Sequence, residues 1–316
     1  MAELVVGANL PWLDYGQDFG ASAWRPEGGI AIPERLERFG AELARLAAAG
    51  ATAIRLWLLA DGRAGLVEDQ QGRPVSLDDR VLPDLDAALG ALRAAGLRAH
   101  LVLTDFLWFS PARVVNGVRL GGRRDHVRDP LLRSRLLAQV FEPIAVRYGQ
   151  APEVAGWDLL NEPEWATFGI GTIDPGVSIS RLEMRTYLGE LAALFHARAS
   201  QPLSVGLASA RWLPLLDGLA LDFVQVHWYE TLDSLASLAR PVAPSRPGGA
   251  APVLGEFPTR GASVPPSQLL EIARSAGYSG AFAWSSLASD TATDQEACLA
   301  ALRGFTGRPD PERARA

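Results

Sequence analysis

A recurring pattern along the chain joins an alanine-rich stretch, a glycine and a short apolar run. It occurs three times, at residues 46–57, 92–103 and 273–284. A glycine after a helix supplies the left-handed C′ residue without steric cost, and a short apolar run is typical of a strand buried on both faces. Each occurrence therefore predicts a helix that ends at a glycine and is followed at once by a buried strand.

Extension of this pattern along the chain predicts eight strands, each followed by helical sequence. The predicted strands lie near residues 4–8, 51–57, 97–103, 154–159, 203–207, 223–227, 253–255 and 278–284. The predicted helices cover about residues 33–49, 83–95, 130–148, 180–199, 266–276 and 293–303, with shorter ones near 211–219 and 231–239. Regular alternation without a break in composition favours an α/β fold with a single (β/α)8 TIM barrel over residues 1–316, rather than a doubly wound sheet.

The connections between the predicted elements are unequal in length. Long strand-to-helix loops cover residues 58–82, 104–129 and 162–179, whereas several helix-to-strand joints are a single glycine. Long loops in compact domains are usually functional, and these three leave the C-terminal ends of strands, the face on which barrel active sites are built. The proline- and glycine-rich stretch 241–251 joins a helix to a strand and is predicted only to connect them.

Composition and charge narrow the classes of partner. The chain has 316 residues, of which 48% are hydrophobic and 21% charged, and a formal net charge of −6 with scattered basic residues. This composition excludes disorder, and we expect no nucleic-acid partner. No apolar run approaches the roughly eighteen residues of a spanning helix, so we expect no membrane partner. The start of the chain has no export signal and the single cysteine, Cys298, fits a reducing compartment, so we expect a cytoplasmic protein.

Two glutamates stand where predicted strands end. Glu162 follows the fourth strand and Glu256 the seventh, nearly opposite in a small barrel. This arrangement can hold the two carboxyl groups about 5–5.5 Å apart, the separation that a nucleophile and an acid/base need in a retaining glycosidase. Arg55 lies inside an apolar run and is costly to bury unless it is paired, so we expect Glu256 as its partner. His227 and Tyr229, at the end of strand six, are placed to tune the pair.

At residues 161–163 (Asn-Glu-Pro) and 255–257 (Gly-Glu-Phe) the sequence resembles the retaining glycoside hydrolases of clan A, most closely the cellulase-like family 5 group. The resemblance covers nearly the whole chain in its strand order. It implies that Glu162 is the general acid/base and Glu256 the nucleophile. The implied function is cleavage of a β-linked gluco- or manno-configured oligo- or polysaccharide by double displacement, with a carbohydrate as the partner.

The resemblance also implies roles for the neighbouring residues. Arg55 would hydrogen-bond the nucleophile and keep it ionised, and Asn161 would bind the sugar 2-hydroxyl. Tyr229 would touch the nucleophile, His227 would lie near the acid/base, and Trp284 would form the aromatic floor beneath the sugar.

The third strand departs from the family pattern. Many relatives carry a histidine after this strand, where this chain has Asp105 within Thr-Asp-Phe. We assign Asp105 to substrate binding. This difference affects the hydrogen bonds to the sugar hydroxyls next to the 2-hydroxyl, and the identity of the sugar depends on those bonds.

The chain has nine tryptophans, and most fall at strand ends. Flat apolar rings with one N–H suit the C–H faces of sugars, so a set of tryptophans at strand ends predicts a cleft lining. The set comprises Trp12, Trp57, Trp108, Trp165, Trp228 and Trp284. Trp157 is predicted to lie in the core. The polar and aromatic segment 9–18, with Asn9 and Trp12, is assigned to the sugar-binding rim.

Two other functions would use the same residues. A transglycosylase differs only in whether water or a sugar completes the second step. A non-catalytic carbohydrate-binding barrel would keep the cleft without turnover, and the intact Asn161, Glu162 and Glu256 argue against it. No His, Cys or Asp cluster has metal-ligand spacing and no glycine-rich phosphate loop follows a strand, so we expect no metal and no cofactor.

Overall fold

A closed barrel of parallel strands forms the centre of the molecule in the computed structural model, which describes residues 4–174, 176–240 and 250–307. The eight barrel strands follow one another around the ring in chain order, and the last pairs with the first. They are β1 (Val5–Asn9), β2 (Ala53–Trp57), β3 (Arg98–Val102), β4 (Val154–Asn161), β5 (Leu203–Leu207), β6 (Gln225–His227), β7 (Val253–Pro258) and β8 (Gly280–Trp284). The predicted (β/α)8 barrel is confirmed, with strand bounds that agree to within a few residues.

Helices surround the barrel at nearly all the predicted places. The α-helices are Pro33–Ala48, Val81–Ala95, Asp125–Arg128, Pro130–Leu136, Glu142–Tyr148, Arg181–Arg198, Leu235–Leu238, Pro266–Ser275 and Gln295–Thr306. The 3₁₀ turns are Phe106–Phe109, Pro163–Ala166 and Ala210–Leu216, the last replacing the helix predicted at 211–219. The helix predicted near 231–239 shortens to Leu235–Leu238.

The long helix predicted at residues 130–148 is interrupted by a wider π turn at Leu137–Phe141. Pro143 stands in the first turn of the helix that follows. A proline has no N–H to donate and its ring clashes with the carbonyl four residues earlier, so the backbone widens by one residue there. The prediction missed this local change because the hydrophobic pattern continues through it.

Glycines end the helices as the repeated pattern predicts. Gly50, Gly96 and Gly277 have φ values of 97°, 68° and 85°. These left-handed conformations are favourable for glycine and costly for other residues. Each turns the chain directly from an outer helix into a barrel strand, which places the opposite ends of the strands, with their long loops, on one face.

Two short hairpins, which the sequence did not predict, rise from that face. Leu66–Glu68 pairs with Pro74–Leu77 in the loop after β2, and Arg113–Val115 pairs with Val118–Leu120 in the loop after β3. Glu68 joins the two hairpins because its carboxylate accepts hydrogen bonds from Arg119 and Arg123 over 3.2 and 2.9 Å.

Three further expectations bear on the fold. Most of the predicted connector 241–251 lies outside the described residues, which resume at 250. Cys298 is buried, as expected of a core position. Among the described residues, no helix is long and apolar enough to cross a membrane.

Candidate active site

The two glutamates predicted to work together lie side by side at the C-terminal end of the barrel. Glu162 directly follows β4, and Glu256 lies within β7. A carboxylate oxygen of each and a ring nitrogen of His227 all lie within 4.8 Å of one another. Glu162 has a left-handed backbone, with φ of 51°, and its N–H donates to the carbonyl of Gly206 over 2.7 Å. A non-glycine residue in this conformation is held there by its surroundings.

Both carboxylate oxygens of Glu256 accept hydrogen bonds from side chains. Its Oε1 accepts a hydrogen bond from Nη1 of Arg55 over 2.6 Å, and its Oε2 accepts one from the Tyr229 hydroxyl over 2.8 Å. Burial raises the pKa of Glu256, while Arg55 and the Tyr229 hydroxyl act in the opposite direction. Burial also raises the pKa of Tyr229 well above its usual value, so that the hydroxyl stays a donor.

Arg55 has a second carboxylate partner that the sequence analysis missed. The Arg55 side chain is fully buried, and Asp158 of β4 accepts from both its Nε and its Nη2, over 3.0 and 2.5 Å. Asp158 also accepts from the amide of Gln225 and the backbone N–H of Gly206. The signal was available, since an aspartate in an apolar strand needs a buried partner as much as an arginine does.

Asn9 accepts a hydrogen bond from Arg55 and does not line the cleft. It is 0% exposed, and its Oδ1 accepts from Arg55 over 3.2 Å. Its amide donates to the carbonyls of Gly255 and Ala283 over 3.0 and 3.2 Å. The structure therefore places Asn9 in the barrel interior rather than on the sugar-binding rim.

Glu162 has different neighbours from Glu256. Its Oε1 lies 2.7 Å from Nδ1 of His227, and its Oε2 accepts a hydrogen bond from Nε1 of Trp165 over 2.9 Å. Burial raises the pKa of Glu162 to about 7. Burial lowers the pKa of His227 to about 4, so this imidazole is neutral near pH 7. Although His227 lies near both carboxyl groups, Glu162 has the close 2.7 Å contact with this neutral ring, whereas Glu256 accepts a hydrogen bond from the Arg55 guanidinium.

The side chain of Asn161 forms hydrogen bonds to both Arg55 and Asp105. Its Oδ1 accepts from Nη2 of Arg55 and its amide donates to Oδ2 of Asp105, both over 2.7 Å. The other oxygen of Asp105 accepts from the backbone N–H of Leu107 over 2.9 Å. Burial raises the pKa of Asp105 to about 7, and the nearby Glu162 adds to the rise. Asp105, the residue that departs from the family pattern, therefore fixes the Asn161 amide beside Glu162.

An aromatic cavity of about 350 Å³ opens over these groups. Three of its lining residues, Trp12, Trp57 and Trp284, meet edge to face, with ring centroids 5.7–6.4 Å apart. Such contacts are preferred between aromatic rings and hold each in place. The predicted residues in the lining are Trp12, Trp57, Asp105, Asn161, Glu162, Trp165, Tyr229, Glu256 and Trp284. The lining also contains Tyr15, Phe106, Leu107, Leu232 and Ala292, which the sequence analysis did not single out.

Two tryptophans expected in the cleft lie in the core instead. Trp108 is fully buried and donates through Nε1 to the carbonyl of Leu59, and Trp228 is 2% exposed and donates to the carbonyl of Ser234. A buried indole needs such an acceptor, and in both cases a backbone carbonyl supplies it. Trp157 is fully buried, as predicted.

Glu162, His227 and Glu256 are also the one group in the described part of the chain with metal-ligand geometry. The Arg55 guanidinium already occupies one oxygen of Glu256 and the Tyr229 hydroxyl the other. A divalent cation there would be repelled by the Arg55 guanidinium and would compete with both donors for the carboxylate oxygens. The donor set therefore suits proton transfer and nucleophilic attack better than metal binding.

No protein-family model matches the chain. It is 26% identical over 174 residues to a curated mannan endo-1,4-beta-mannosidase from Mytilus edulis, a match that covers 55% of this chain and only 42% of that protein. The endo-1,4-beta-mannanase from Eisenia fetida superposes with a TM-score of 0.80 at 20% identity, over 98% of this chain and 92% of that one. A GH5_18 protein from Streptomyces cattleya superposes with a TM-score of 0.64 at 14% identity, over 99% and 80% of the two chains. The chain is thus similar to β-mannanases in fold over nearly its whole length and in sequence over about half of it, in line with its resemblance to clan A, family 5 glycoside hydrolases.

Proposed function

We propose that this chain is a retaining β-glycoside hydrolase that cleaves manno-configured β-linked saccharides. The observation that carries the proposal is the close approach of the two glutamates, whose nearest ligand atoms lie within 4.8 Å. A retaining mechanism needs carboxyl groups about 5–5.5 Å apart, whereas an inverting one needs about 6.5–9.5 Å to hold a water between them. The partners on each side, together with the aromatic cavity, support the assignment of Glu256 as nucleophile.

In the first step, a carboxylate oxygen of Glu256 attacks the anomeric carbon of the sugar as the bond to the leaving oxygen breaks. Glu162 gives its proton to that oxygen, so the leaving group departs as a neutral alcohol and Glu162 becomes a carboxylate. Arg55 and the Tyr229 hydroxyl hold the attacking carboxylate in position, which avoids the cost of orienting it during the reaction.

In the second step, Glu162 acts as the base. The charge of Glu256 disappears when it forms the glycosyl ester, so the pKa of Glu162 falls as its negative neighbour is lost. Glu162 then takes a proton from water, the hydroxide oxygen bonds to the anomeric carbon, and the ester bond returns its electrons to Glu256. Two inversions leave the configuration of the sugar unchanged.

The manno configuration of the substrate rests on the similar proteins. The curated relative and the structural neighbour with the TM-score of 0.80 are named for activity on β-1,4-mannan. The aromatic lining suits a chain of sugar rings, since indole faces pack on the C–H faces of pyranoses. We therefore extend the proposal to β-1,4-linked mannan and its oligosaccharides as substrates.

The test of the proposal is replacement of the nucleophile. Glu256→Ala should abolish hydrolysis of β-mannan and of an aryl β-mannoside. Azide or formate should partly restore turnover of the aryl substrate, with azide giving a glycosyl azide, because a small anion fits the vacated space. Rescue also demonstrates that the variant is folded. NMR of the first product of the wild type should show the β configuration, and an α product or full activity of the variant would refute the mechanism.

A further inference from the structure

The three tryptophans that meet in the catalytic cavity are held by different parts of the chain. Trp57 and Trp284 are the last residues of β2 and β8, so pairing with the neighbouring strands fixes their backbones. Trp12 lies beyond the end of β1, in the stretch of residues 12–18, which we call the rim turn. The position of the Trp12 ring therefore depends on how the rim turn is anchored.

A nearly buried arginine of the helix Pro33–Ala48 holds the rim turn at three points. Arg35 is 6% exposed. Its Nη1 donates to Oδ2 of Asp14 over 2.6 Å, and its Nη2 donates to the carbonyl of Gln17 over 2.9 Å and to Oδ1 of Asp18 over 2.6 Å. One guanidinium thus ties two carboxylates and a backbone carbonyl of the rim turn to an outer helix of the barrel.

Asp18 links Arg35 to the backbone beside Trp12. It is 2% exposed, its Oδ2 accepts from the backbone N–H of Leu13 over 2.6 Å, and its Oδ1 accepts from that of Asp14 over 3.1 Å. Leu13 directly follows Trp12, so the orientation of the Asp18 carboxylate sets the backbone next to the indole. A buried carboxylate needs a cationic partner, and we therefore expect the loss of Arg35 to loosen the whole rim turn rather than to break a single bond.

The rest of the loop after β1 is anchored without Arg35. Asp84 of the helix Val81–Ala95 accepts from three backbone N–H groups between residues 20 and 31, over 2.7–3.0 Å. Arg25 also donates to Asp14, over 2.8 Å, but it belongs to the same loop and cannot tie that loop to the helix. Loss of Arg35 should therefore release the rim turn and leave the remainder of the loop in place.

We propose that Arg35 is a positioning residue for substrate binding, which acts by fixing the rim turn and so holding Trp12 in the catalytic cavity. This inference rests on the proposed function and adds to it a residue that lies outside the cavity lining. The side-chain donors described above for Glu162 and Glu256 come from other strands and loops. Arg35 should therefore affect the binding of the saccharide and leave the chemical steps unchanged.

The experiment compares Arg35→Met with Arg133→Met on β-1,4-mannohexaose. Arg133 is the matched control because it is 8% exposed and donates to the carboxylate of Glu190 and the carbonyl of Val127, all on outer helices. Both substitutions remove a nearly buried arginine and should lower Tm. Only Arg35→Met should raise KM, by about 3–10-fold. Its kcat should change less than about twofold, since a contact of equal strength in the ground state and the transition state affects KM alone.

A double-mutant cycle tests whether Arg35 acts through Trp12. Trp12→Ala should itself raise KM, and Arg35→Met should then add less than about a further twofold, because the ring that it positions is already absent. Asp18→Asn keeps the size of the side chain but removes one of the acceptors that hold the rim turn, and it carries the same two predictions. If Arg35→Met does not fold, Asp18→Asn decides the question.

The outcomes distinguish this inference from the proposed function. The positioning role would be overturned by an unchanged KM in Asp18→Asn or in folded Arg35→Met, by an equal rise of KM in Arg133→Met, or by an undiminished effect in the Trp12→Ala background. In each of these cases the wild type remains an active hydrolase. A wild type that turns over neither mannohexaose nor an aryl β-mannoside would instead refute the proposed function itself.

Discussion

The ion pair between Arg55 and Asp158 offers the sharpest test of how the barrel interior is held together. Both side chains are 0% exposed and their closest atoms are 2.5 Å apart. For charge centres about 4 Å apart in an effective dielectric of about 20, Coulomb's law gives about 4 kcal/mol. Removal of one partner of a buried pair typically costs about 3–5 kcal/mol, because it leaves the other charge unpaired. We therefore expect Asp158→Asn to lower the free energy of unfolding by about 4 kcal/mol.

The assay is thermal unfolding followed by circular dichroism. A loss of about 4 kcal/mol corresponds to a fall in Tm of about 6 °C for a domain of this length. Asp86→Asn is the matched control, since Asp86 pairs with Arg147 over 2.6 Å with both side chains about half exposed. An exposed pair contributes less than about 1 kcal/mol. Equal falls in Tm for the two variants would refute the reasoning that burial makes the Arg55 pair important.

The same variant should change the pH dependence of activity. The negative charge of Asp158 raises the pKa of Glu162, which burial has already raised to about 7. Without that charge the pKa of Glu162 falls, so the protonated acid is lost at a lower pH. The basic limb of kcat/KM, which reports the free enzyme, should therefore move to lower pH in Asp158→Asn. A limb that stays in place or moves upward would contradict the assignment of Glu162 as the acid.

Two further substitutions test the packing and the charge of the site. In Gly206→Ala the new Cβ would lie 2.8 Å from Nη2 of Arg55 and 3.0 Å from Oδ2 of Asp158. We expect the free energy of unfolding to fall by about 1–3 kcal/mol because the core is overpacked. The control is Gly40→Ala, in open space on a helix, which should raise the free energy of unfolding by about 0.5–1 kcal/mol. Equal urea midpoints for the two variants would contradict this. Burial raises the pKa of Glu164 well above its usual value, so the folded state holds this proton to a higher pH than the unfolded chain and loses stability as pH rises above about 4.3. Glu164→Gln should therefore flatten the fall in Tm between about pH 5 and pH 8, and an unchanged slope would contradict it.

The sequence predicted the barrel and the close approach of Glu162 and Glu256 because both depend on local patterns. A glycine at a helix end and an apolar run after it are readable residue by residue, and Gly96, with its φ of 68°, adopts the expected conformation. Glu162 and Glu256 were found because strand ends of a parallel barrel must meet on one face. The prediction that Arg55 pairs with Glu256 agrees with the 2.6 Å contact.

The parts that were missed depend on which way a side chain turns once its strand has ended. Trp108 lies in a 3₁₀ turn in which Phe106 and Leu107 line the cavity while Trp108 points into the core. Three successive residues of similar hydrophobicity therefore divide between cleft and core, and no periodicity distinguishes them. Asp158 was missed for a different reason: an aspartate in an apolar strand indicates that a buried partner exists, but the sequence does not show that this partner is Arg55, two strands away around the barrel.

That shared arginine gives the neighbouring carboxyl groups of Glu162 and Glu256 different electrostatic surroundings. A lone buried guanidinium would lower the pKa of Glu162 as well as that of Glu256, because its field extends beyond its hydrogen-bonding partners. Asp158 cancels much of that field at a distance, since Arg55 and Asp158 together form a dipole rather than a net charge. The direct hydrogen bond from Arg55 to Glu256 is little affected by this cancellation, because its two atoms are only 2.6 Å apart. The effect of Arg55 thus becomes selective: Glu256 keeps its stabilising contact, while Glu162 retains a raised pKa, which suits the proton donor that we propose it to be.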